Sequence, residues 1–349
     1  MADDGDLWFL PGPPEDIAPT DPPWEVAQQK LVFAPKDWLR AEAAQGRGLA
    51  RAAAAFARLD AQMSTGFAKR LALAETSALL WTQGDWLPVE KITLYGLLRE
   101  SSLKDAQGLS LADWAQRRLL GAGLPEDLAA FLGRRRAEFD GLEDFGQHPV
   151  GIEFDGLESD WHAARRGLEE AHPITQAAGL FAAWRAFGLS EPGAAVEAGV
   201  AATKIGAAEG RALRFLPVAS GGPIGQGGAV ADRLARWYGA VENACLQAEM
   251  QHRQLNTWAK RAEQATAGLS GKTPALLIEA LQAVPALSAG MVAHAGSVAN
   301  IGQGRKDSIN RTQLSSESKK LRKAVPFQTK LFLADHLSHL DGSVANFLT

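Results

Sequence analysis

One long stretch of helical periodicity limits what this 349-residue chain can fold into. From Ala229 to about Ala267, apolar residues recur in steps of three and four, which is the period of one face of a helix. The residues of this seam are Val230, Leu234, Trp237, Val241, Ala244, Ala248, Leu255, Ala259 and Ala262. At about 1.5 Å per residue, such a helix would be more than about 50 Å long. We expect it to connect two parts of the molecule or to pair with a second copy in a homodimer.

Most of the chain before this helix shows the same period. An alanine-rich stretch that begins at Asp37 favours a helix, because alanine is the strongest helix former. Further helices are predicted at about Gly66–Trp81, Glu90–Leu98, Ser110–Leu120, Pro125–Phe139, Asp160–Glu170, Thr175–Phe187 and Gly193–Ala208. Residues 140–160 are acidic and contain glycine, which predicts a loop or a domain boundary. Because no strand-like alternation accompanies these patterns, the sequence predicts an all-α protein.

Composition excludes several classes of protein. With 46% hydrophobic and 22% charged residues, the chain is not disordered throughout. It has no run of about 18 apolar residues, so we expect no membrane span. The acidic start at Met1 lacks the features of an export signal, and we expect a cytoplasmic protein. Cys245 is the only cysteine, which excludes an internal disulfide and a cysteine-based zinc site.

The net charge of -4 hides an asymmetry between the two ends of the chain. Residues 1–29 contain seven acidic and no basic residues, whereas residues 303–349 contain eight basic and four acidic residues. Such an asymmetry is typical of interaction tails. We therefore expect a disordered, acidic, proline-rich arm over 1–30 and a basic, polar tail over 304–349.

The remaining chain divides into three predicted parts. They are a multi-helix body over 31–228, the long connecting helix over 229–268, and a small C-terminal domain of helix-turn-helix type over 269–303. In the last of these, Pro274 lies at a favoured first helical position and Ser288 at a favoured N-cap. Two short helices joined by a tight turn form the first half of a helix-turn-helix motif. The recognition helix should follow Gly296, where the periodicity is weak.

A basic segment follows this predicted domain, where a surface that faces DNA would lie. Composition alone favours DNA binding and a solvated tail about equally, and the position of the segment favours DNA. The residues expected to contact DNA are Ser288, His294, Ser297, Asn300, Arg305, Lys306 and Arg311, the last three through phosphates. DNA is therefore the expected partner.

Other motifs favour structural roles. Gly271-Lys272-Thr273 lacks the upstream glycine and the strand of a phosphate loop, since Thr266 takes the glycine position. The glycines between Ser220 and Gly228 do not match a dinucleotide fingerprint and predict a flexible loop. His336 and His339 are one helical turn apart but have no firm third ligand. We expect no metal and no cofactor.

Several segments of this chain resemble segments of a known family and follow one another in the same order. They are Phe67–Leu71, Ser77–Tyr95, Arg214–Val218, Pro274–Ile278 and Val284–Ala293. They resemble alphaproteobacterial, often plasmid-borne proteins in which the domain of unknown function number 1612 precedes a C-terminal helix-turn-helix domain. The resemblance implies an all-helical, DNA-binding protein whose body is distantly similar to Fic-type folds.

The same resemblance argues against Fic-type AMP transfer. A Fic enzyme carries a catalytic histidine ahead of a Gly-Asn-Gly-Arg anion loop, whereas this chain has Thr203 in the histidine position. Gly210, Arg211 and Arg214 are the nearest equivalents of the loop. Without the general base the reaction is not expected. The chain also departs from the family after Gly296, through either a diverged tail or a shifted reading frame.

Three hypotheses about function follow, and the sequence favours a role without catalysis. The first is a DNA-binding protein, with regulation of transcription as its natural extension. The second is a helical scaffold that binds protein partners through the long helix and through the N-terminal arm with its Trp8 and Trp24. The third is a degenerate Fic-like transferase.

Overall fold

The computed structural model describes residues 33–98, 105–133, 148–149, 151–191, 193–225, 227–268 and 273–285. Over these ranges the chain forms helices and no β-strand, which confirms the predicted all-α class. The helices are α1 (Pro35–Ala44), α2 (Gly46–Ala61), α3 (Thr65–Thr82), α4 (Val89–Leu98), α5 (Ala106–Leu120), α6 (Leu128–Leu132), α7 (Ile152–Gly167), α8 (Pro173–Phe187), α9 (Val196–Gly206), α10 (Val230–Thr266) and α11 (Thr273–Ala283), with a 3-10 helix at Ala219–Gly221. Among the described helices, no segment has the length and hydropathy that a membrane span requires.

Two helices differ from the sequence prediction. The helix expected to start at Pro125 is α6, which ends at Leu132 because Gly133 adopts a left-handed conformation with φ of 70°. Conversely, α7 begins at Ile152, inside the acidic stretch predicted to be irregular. Glu153 and Asp155 lie in its first turn, where carboxylates interact favourably with the helix dipole. The acidic composition of this stretch therefore marks a helix start.

Helix α9 lies at the centre of the body, and all eleven of its residues are buried. It packs against α8, α5 and α3. Close approach depends on its small residues: a Cβ atom added at Gly199 would lie 2.4 Å from Cδ2 of Leu79. This helix carries two ionisable side chains, Glu197 and Lys204, into the core.

The long helix predicted from the seam is α10, with 37 residues. Its first half packs against α1, α2, α8 and the 3-10 helix. The residues of the seam that this packing buries are Leu234, Trp237, Val241, Ala244 and Ala248. These seam residues therefore pack against other helices of the same chain.

Helix α11 packs against α3 and α10. Its Ile278 joins Ala259 and Ala262 of α10 in a small separate core. The Arg70 side chain of α3 donates hydrogen bonds to the carbonyl groups of Leu281 at 2.8 Å and Val284 at 3.3 Å. These bonds satisfy carbonyls at the end of α11 that have no partner within the helix. The rest of the predicted helix-turn-helix domain, from Ala286 on, lies outside the described residues.

Candidate functional site

The connection between α9 and α10 contains the loop that the Fic resemblance identifies as an anion loop. The carboxylate of Asp60, at the end of α2, accepts hydrogen bonds from the backbone amides of Arg211, Ala212 and Leu213 at 2.9, 2.9 and 2.7 Å. Three consecutive amides that converge on one carboxylate form an anion nest. Here the anion is part of the protein, so the loop is already occupied.

The other residues of the Fic comparison also have structural positions. Thr203 is fully buried in α9, and its hydroxyl donates to the carbonyl of Val200 at 3.1 Å. Arg211 and Arg214 are exposed. A threonine hydroxyl bound to a helix carbonyl cannot take a proton from a substrate at neutral pH. Thr203 therefore cannot act as the general base that a Fic enzyme has at this position.

A second buried carboxylate holds the other end of the same connection. Glu75 of α3 is fully buried and accepts hydrogen bonds from the amides of Val218, Ala219 and Ser220 at 2.9, 2.7 and 3.1 Å. The Ser220 hydroxyl donates a fourth bond at 2.9 Å. Burial raises the pKa of Glu75, and the four hydrogen bonds oppose that rise. The carboxylate thereby fixes the 3-10 helix against the body.

The 3-10 helix is also seated on the backbone of α10. A Cβ atom at Gly221 would lie 1.9 Å from the carbonyl oxygen of Ala240 and 2.4 Å from the amide nitrogen of Ala244. Only glycine fits at this contact, because both neighbouring atoms belong to the backbone. The start of the glycine-rich loop is therefore held tightly, although the sequence predicted it to be flexible.

Four buried polar side chains, one of them on α9, are connected by hydrogen bonds. His148 lies with Nε2 3.2 Å from Oε1 of Glu197, while the hydroxyl of Ser190 donates to Oε2 of the same carboxylate at 2.8 Å. The indole of Trp184 donates to the Ser190 oxygen at 2.8 Å. A nucleophilic triad places the imidazole between the hydroxyl and the carboxylate, whereas here the carboxylate lies in the middle. This arrangement satisfies buried polar groups and does not activate the serine.

The described residues contain no group of three or more potential ligands that could hold a metal ion. His336 and His339 lie outside the described part of the chain. Cys245 is buried in α10, where burial raises the pKa of its thiol, as do the nearby Glu75 and Glu249 charges. A thiol of this kind remains protonated and unreactive.

The outer face of the second half of α10 carries exposed cations. Arg253, Lys260 and Arg261 are all exposed, and none of them forms an ion pair with a described residue. From Asn243 to Thr266, Glu263 is the only exposed acidic residue of the helix. The other exposed residues here are mainly Gln, Asn and Thr. The apolar seam predicts only the buried side of this helix, so the exposed cations on its outer side were not predicted.

All seven residues predicted to contact DNA lie outside the described residues. They are Ser288, His294, Ser297, Asn300, Arg305, Lys306 and Arg311. Their roles remain predictions. What the structure adds is the basic face of α10, which precedes them in the chain.

Two tryptophans form an exposed pair at and just beyond the C-terminal end of α3. Trp81 is 53% exposed and Trp86 is 72% exposed, and their ring centroids are 4.8 Å apart. Large aromatic side chains are seldom left this open unless they contact something. This pair is the most exposed aromatic surface among the described residues.

No protein-family model, curated protein sequence or solved structure matches this chain.

Proposed function

We propose that this chain is a DNA-binding protein that contacts DNA with its C-terminal third. The observation that carries the proposal is the basic outer face of α10, where Arg253, Lys260 and Arg261 are exposed and form no ion pair with a described residue. The basic segment that includes Arg305, Lys306 and Arg311 extends the same charge along the sequence. Regulation of transcription is the natural use of such binding.

The physical argument is electrostatic. Arginine and lysine side chains that neutralise DNA phosphates release counterions, which makes affinity strongly dependent on salt. Amide side chains such as Gln254 and Asn256 hydrogen-bond to phosphate oxygens without favouring a base sequence. The face of α10 therefore supplies affinity, and base recognition is assigned to residues after Val284.

The test is a salt titration of DNA binding with the full chain and the variant R253Q/K260Q/R261Q. We expect the slope of log K against log salt to fall by about 0.9 for each phosphate contact that is lost, or by roughly 2–3 in total. The matched control is R47Q/R166Q/R211Q, which removes three exposed cations elsewhere. Wild-type chain that retards no genomic fragment at low salt, or equal slopes in both variants, would refute the proposal.

A second candidate function is a scaffold for protein partners, and the Trp81–Trp86 pair favours it. Tryptophan is enriched in the central contacts of protein interfaces. A homodimer is the simplest form of this hypothesis. Sedimentation velocity of the full chain and of W81S/W86S tests it, because a dimer that uses this pair dissociates in the variant. A wild-type chain that sediments as a monomer at all concentrations would contradict the dimer.

For the third hypothesis, a Fic-like transferase, we expect no transfer of labelled AMP from ATP. The amides of the loop already bind Asp60, and Thr203 supplies no base. Incorporation of label would contradict this expectation. The assay also requires D60A, which opens the loop amides without adding a base.

A further inference from the structure

A cleft of about 290 Å³, its open part included, lies where the first turns of α10 meet α1, α8 and the glycine-rich loop. Its walls are the rings of Trp38, Phe181 and Trp237, the side chains of Arg233 and Arg236, and the backbone at Gly225. Part of this volume is open to solvent, so the enclosed part takes a small group or one end of a larger molecule.

Two donors of the residues that line this cleft have no acceptor among the described residues. Trp237 is only 4% exposed, and its buried Nε1 has no hydrogen-bond partner. The Nε atom of Arg233 is also buried without a partner, and its guanidinium carbon lies 5.2 Å from the ring centre of Trp38. Buried polar atoms are nearly always hydrogen-bonded, so two orphaned donors in one cleft require an explanation.

Two arginines that line the cleft, Arg233 and Arg236, and a third next to it, Arg185, form no ion pair with a described residue. Burial lowers the pKa of Arg233, and the charge of Arg236 lowers it further. Arg185 stacks 5.9 Å from the centre of the Phe181 ring, and burial lowers its pKa as well. Within the described part of the chain, none of the three arginines forms an ion pair, and the nearby Asp232 is exposed.

Unlike Arg233, Arg236 forms side-chain hydrogen bonds with other described residues. Its guanidinium donates to the carbonyl groups of Gly227 and Gly225, so it holds the glycine-rich loop against α10. No described residue occupies the donors of Arg233. The loop therefore closes one side of the cleft while the charge inside remains available.

We propose that this cleft binds a carboxylate that is attached to a flat apolar group. A guanidinium and an indole N–H are the donors that recognise a carboxylate, because they supply charge and directed hydrogen bonds together. The carboxylate would enter the cleft, and the apolar ring of the ligand would cover its open mouth. Benzoate is the smallest molecule with both parts.

The experiment is isothermal titration calorimetry of the full chain with benzoate, benzamide and inorganic phosphate. We expect wild-type chain to bind benzoate, to bind phosphate more weakly because phosphate has no ring, and not to bind benzamide because it has no charge. R233Q should weaken benzoate binding about tenfold or more, since it removes a charge-assisted hydrogen bond.

A second variant tests the indole donor. W237F keeps an aromatic side chain but removes the orphaned donor together with one ring of the indole, so it should weaken benzoate binding several-fold. Because Trp237 is 4% exposed, the smaller ring leaves a cavity and should lower the thermal unfolding temperature without ligand, so benzoate is titrated well below that temperature. R166Q, at an exposed position on α7, is the matched control and should bind benzoate like wild type.

Three outcomes would overturn the proposal. They are binding of benzamide as tight as that of benzoate, benzoate affinity unchanged in both R233Q and W237F, and phosphate bound more tightly than benzoate. Because the DNA-binding variants do not touch this cleft, failure of the carboxylate proposal leaves the DNA proposal intact, and the reverse also holds.

Discussion

Glu75 and Arg233 are both charged side chains held among apolar groups, yet their surroundings differ. The carboxylate of Glu75 accepts four hydrogen bonds from Val218, Ala219 and Ser220. The guanidinium of Arg233 has the face of Trp38 beside it and no hydrogen-bond acceptor for its buried Nε. The two environments are close in the chain, because Arg233 follows Ser220 after one loop and the first turn of α10.

The difference shows how a buried charge can be recognised as structural or as available for a ligand. A charge whose hydrogen-bonding capacity is saturated fixes chain segments to one another, and its removal leaves several groups unsatisfied at once. A charge with unused capacity adds little to the stability of the free protein and can gain partners on binding. Substitution of a saturated charge should therefore lower the stability of the free protein. Substitution of a charge with unused capacity should change that stability little and weaken ligand binding instead.

The largest effect is expected for Glu75→Ala. The substitution leaves three backbone amides and a hydroxyl without their acceptor in the core, which should lower the free energy of unfolding by about 3–5 kcal/mol. Urea denaturation followed by circular dichroism measures it, with the exposed Glu209→Ala as the matched control. A loss no larger than that of the control would show that water replaces the carboxylate and would remove the contrast with Arg233.

Asp60→Ala should have the next largest effect. Its carboxylate serves three amides, but those of Arg211 and Ala212 belong to exposed residues that can reach water once the loop relaxes. We expect a loss of about 2–3 kcal/mol in the same denaturation experiment. Asp160→Ala, an exposed position on α7, is the control. A loss larger than that of Glu75→Ala would reverse the order of the two carboxylates.

These carboxylates also show where the sequence is informative and where it is not. The period of Leu234, Trp237 and Val241 predicted α10 almost to its ends, because a helical face is a local pattern. Asp60 lies 151 positions before Arg211, and no local pattern links a carboxylate to amides so far away. Most of the helices could therefore be predicted from the sequence, whereas the residues that hold the loop between α9 and α10 could not.

The cleft was missed for the same reason. Trp38, Phe181 and Arg233 come from three helices, and only their packing places them around one space. The glycines near Gly225 were the one local signal, and their spacing matched no known fingerprint. Conversely, the seven DNA-contact residues remain predictions, because they lie outside the described residues.

Lys204 gives a test of intermediate size, since it is a buried cation with a partner. Its ammonium donates to the carbonyl of Gly121 at the end of α5, and burial together with the charge of Arg214 lowers its pKa to about 8. Between about pH 8 and 10.5 the unfolded chain binds more protons at this side chain than the folded chain does, so stability should rise with pH.

We therefore expect wild-type chain to gain about 1–3 kcal/mol over Lys204→Met between pH 8 and 10. Denaturation at a series of pH values gives the difference between the two proteins, in which the shared titrations of other groups cancel. Parallel curves for the two proteins would mean that Lys204 remains charged in the folded state throughout this range.

The smallest effect is expected for Arg233→Met without ligand. The substitution removes an unpaired cation and loses its contact with the Trp38 ring, two changes of opposite sign that are each about 1 kcal/mol or less. The free energy of unfolding should change by less than about 1 kcal/mol. A loss comparable to that of Glu75→Ala would mean that Arg233 is a structural charge, and the distinction drawn between the two positions would fail.

Helix α10 has two halves with different supports, and this has a mechanical consequence. The half from Leu234 to Ala248 is held on several sides by α1, α2 and α8, whereas the half after it is held by α11 and by the contact of His252 with Phe67. The less supported end of such a helix moves furthest. Amide hydrogens of the first half should therefore exchange only when the whole protein unfolds, while those after Leu255 exchange through local opening. The basic face lies on the compliant half, so it can adjust to the curvature of a partner without disturbing the core.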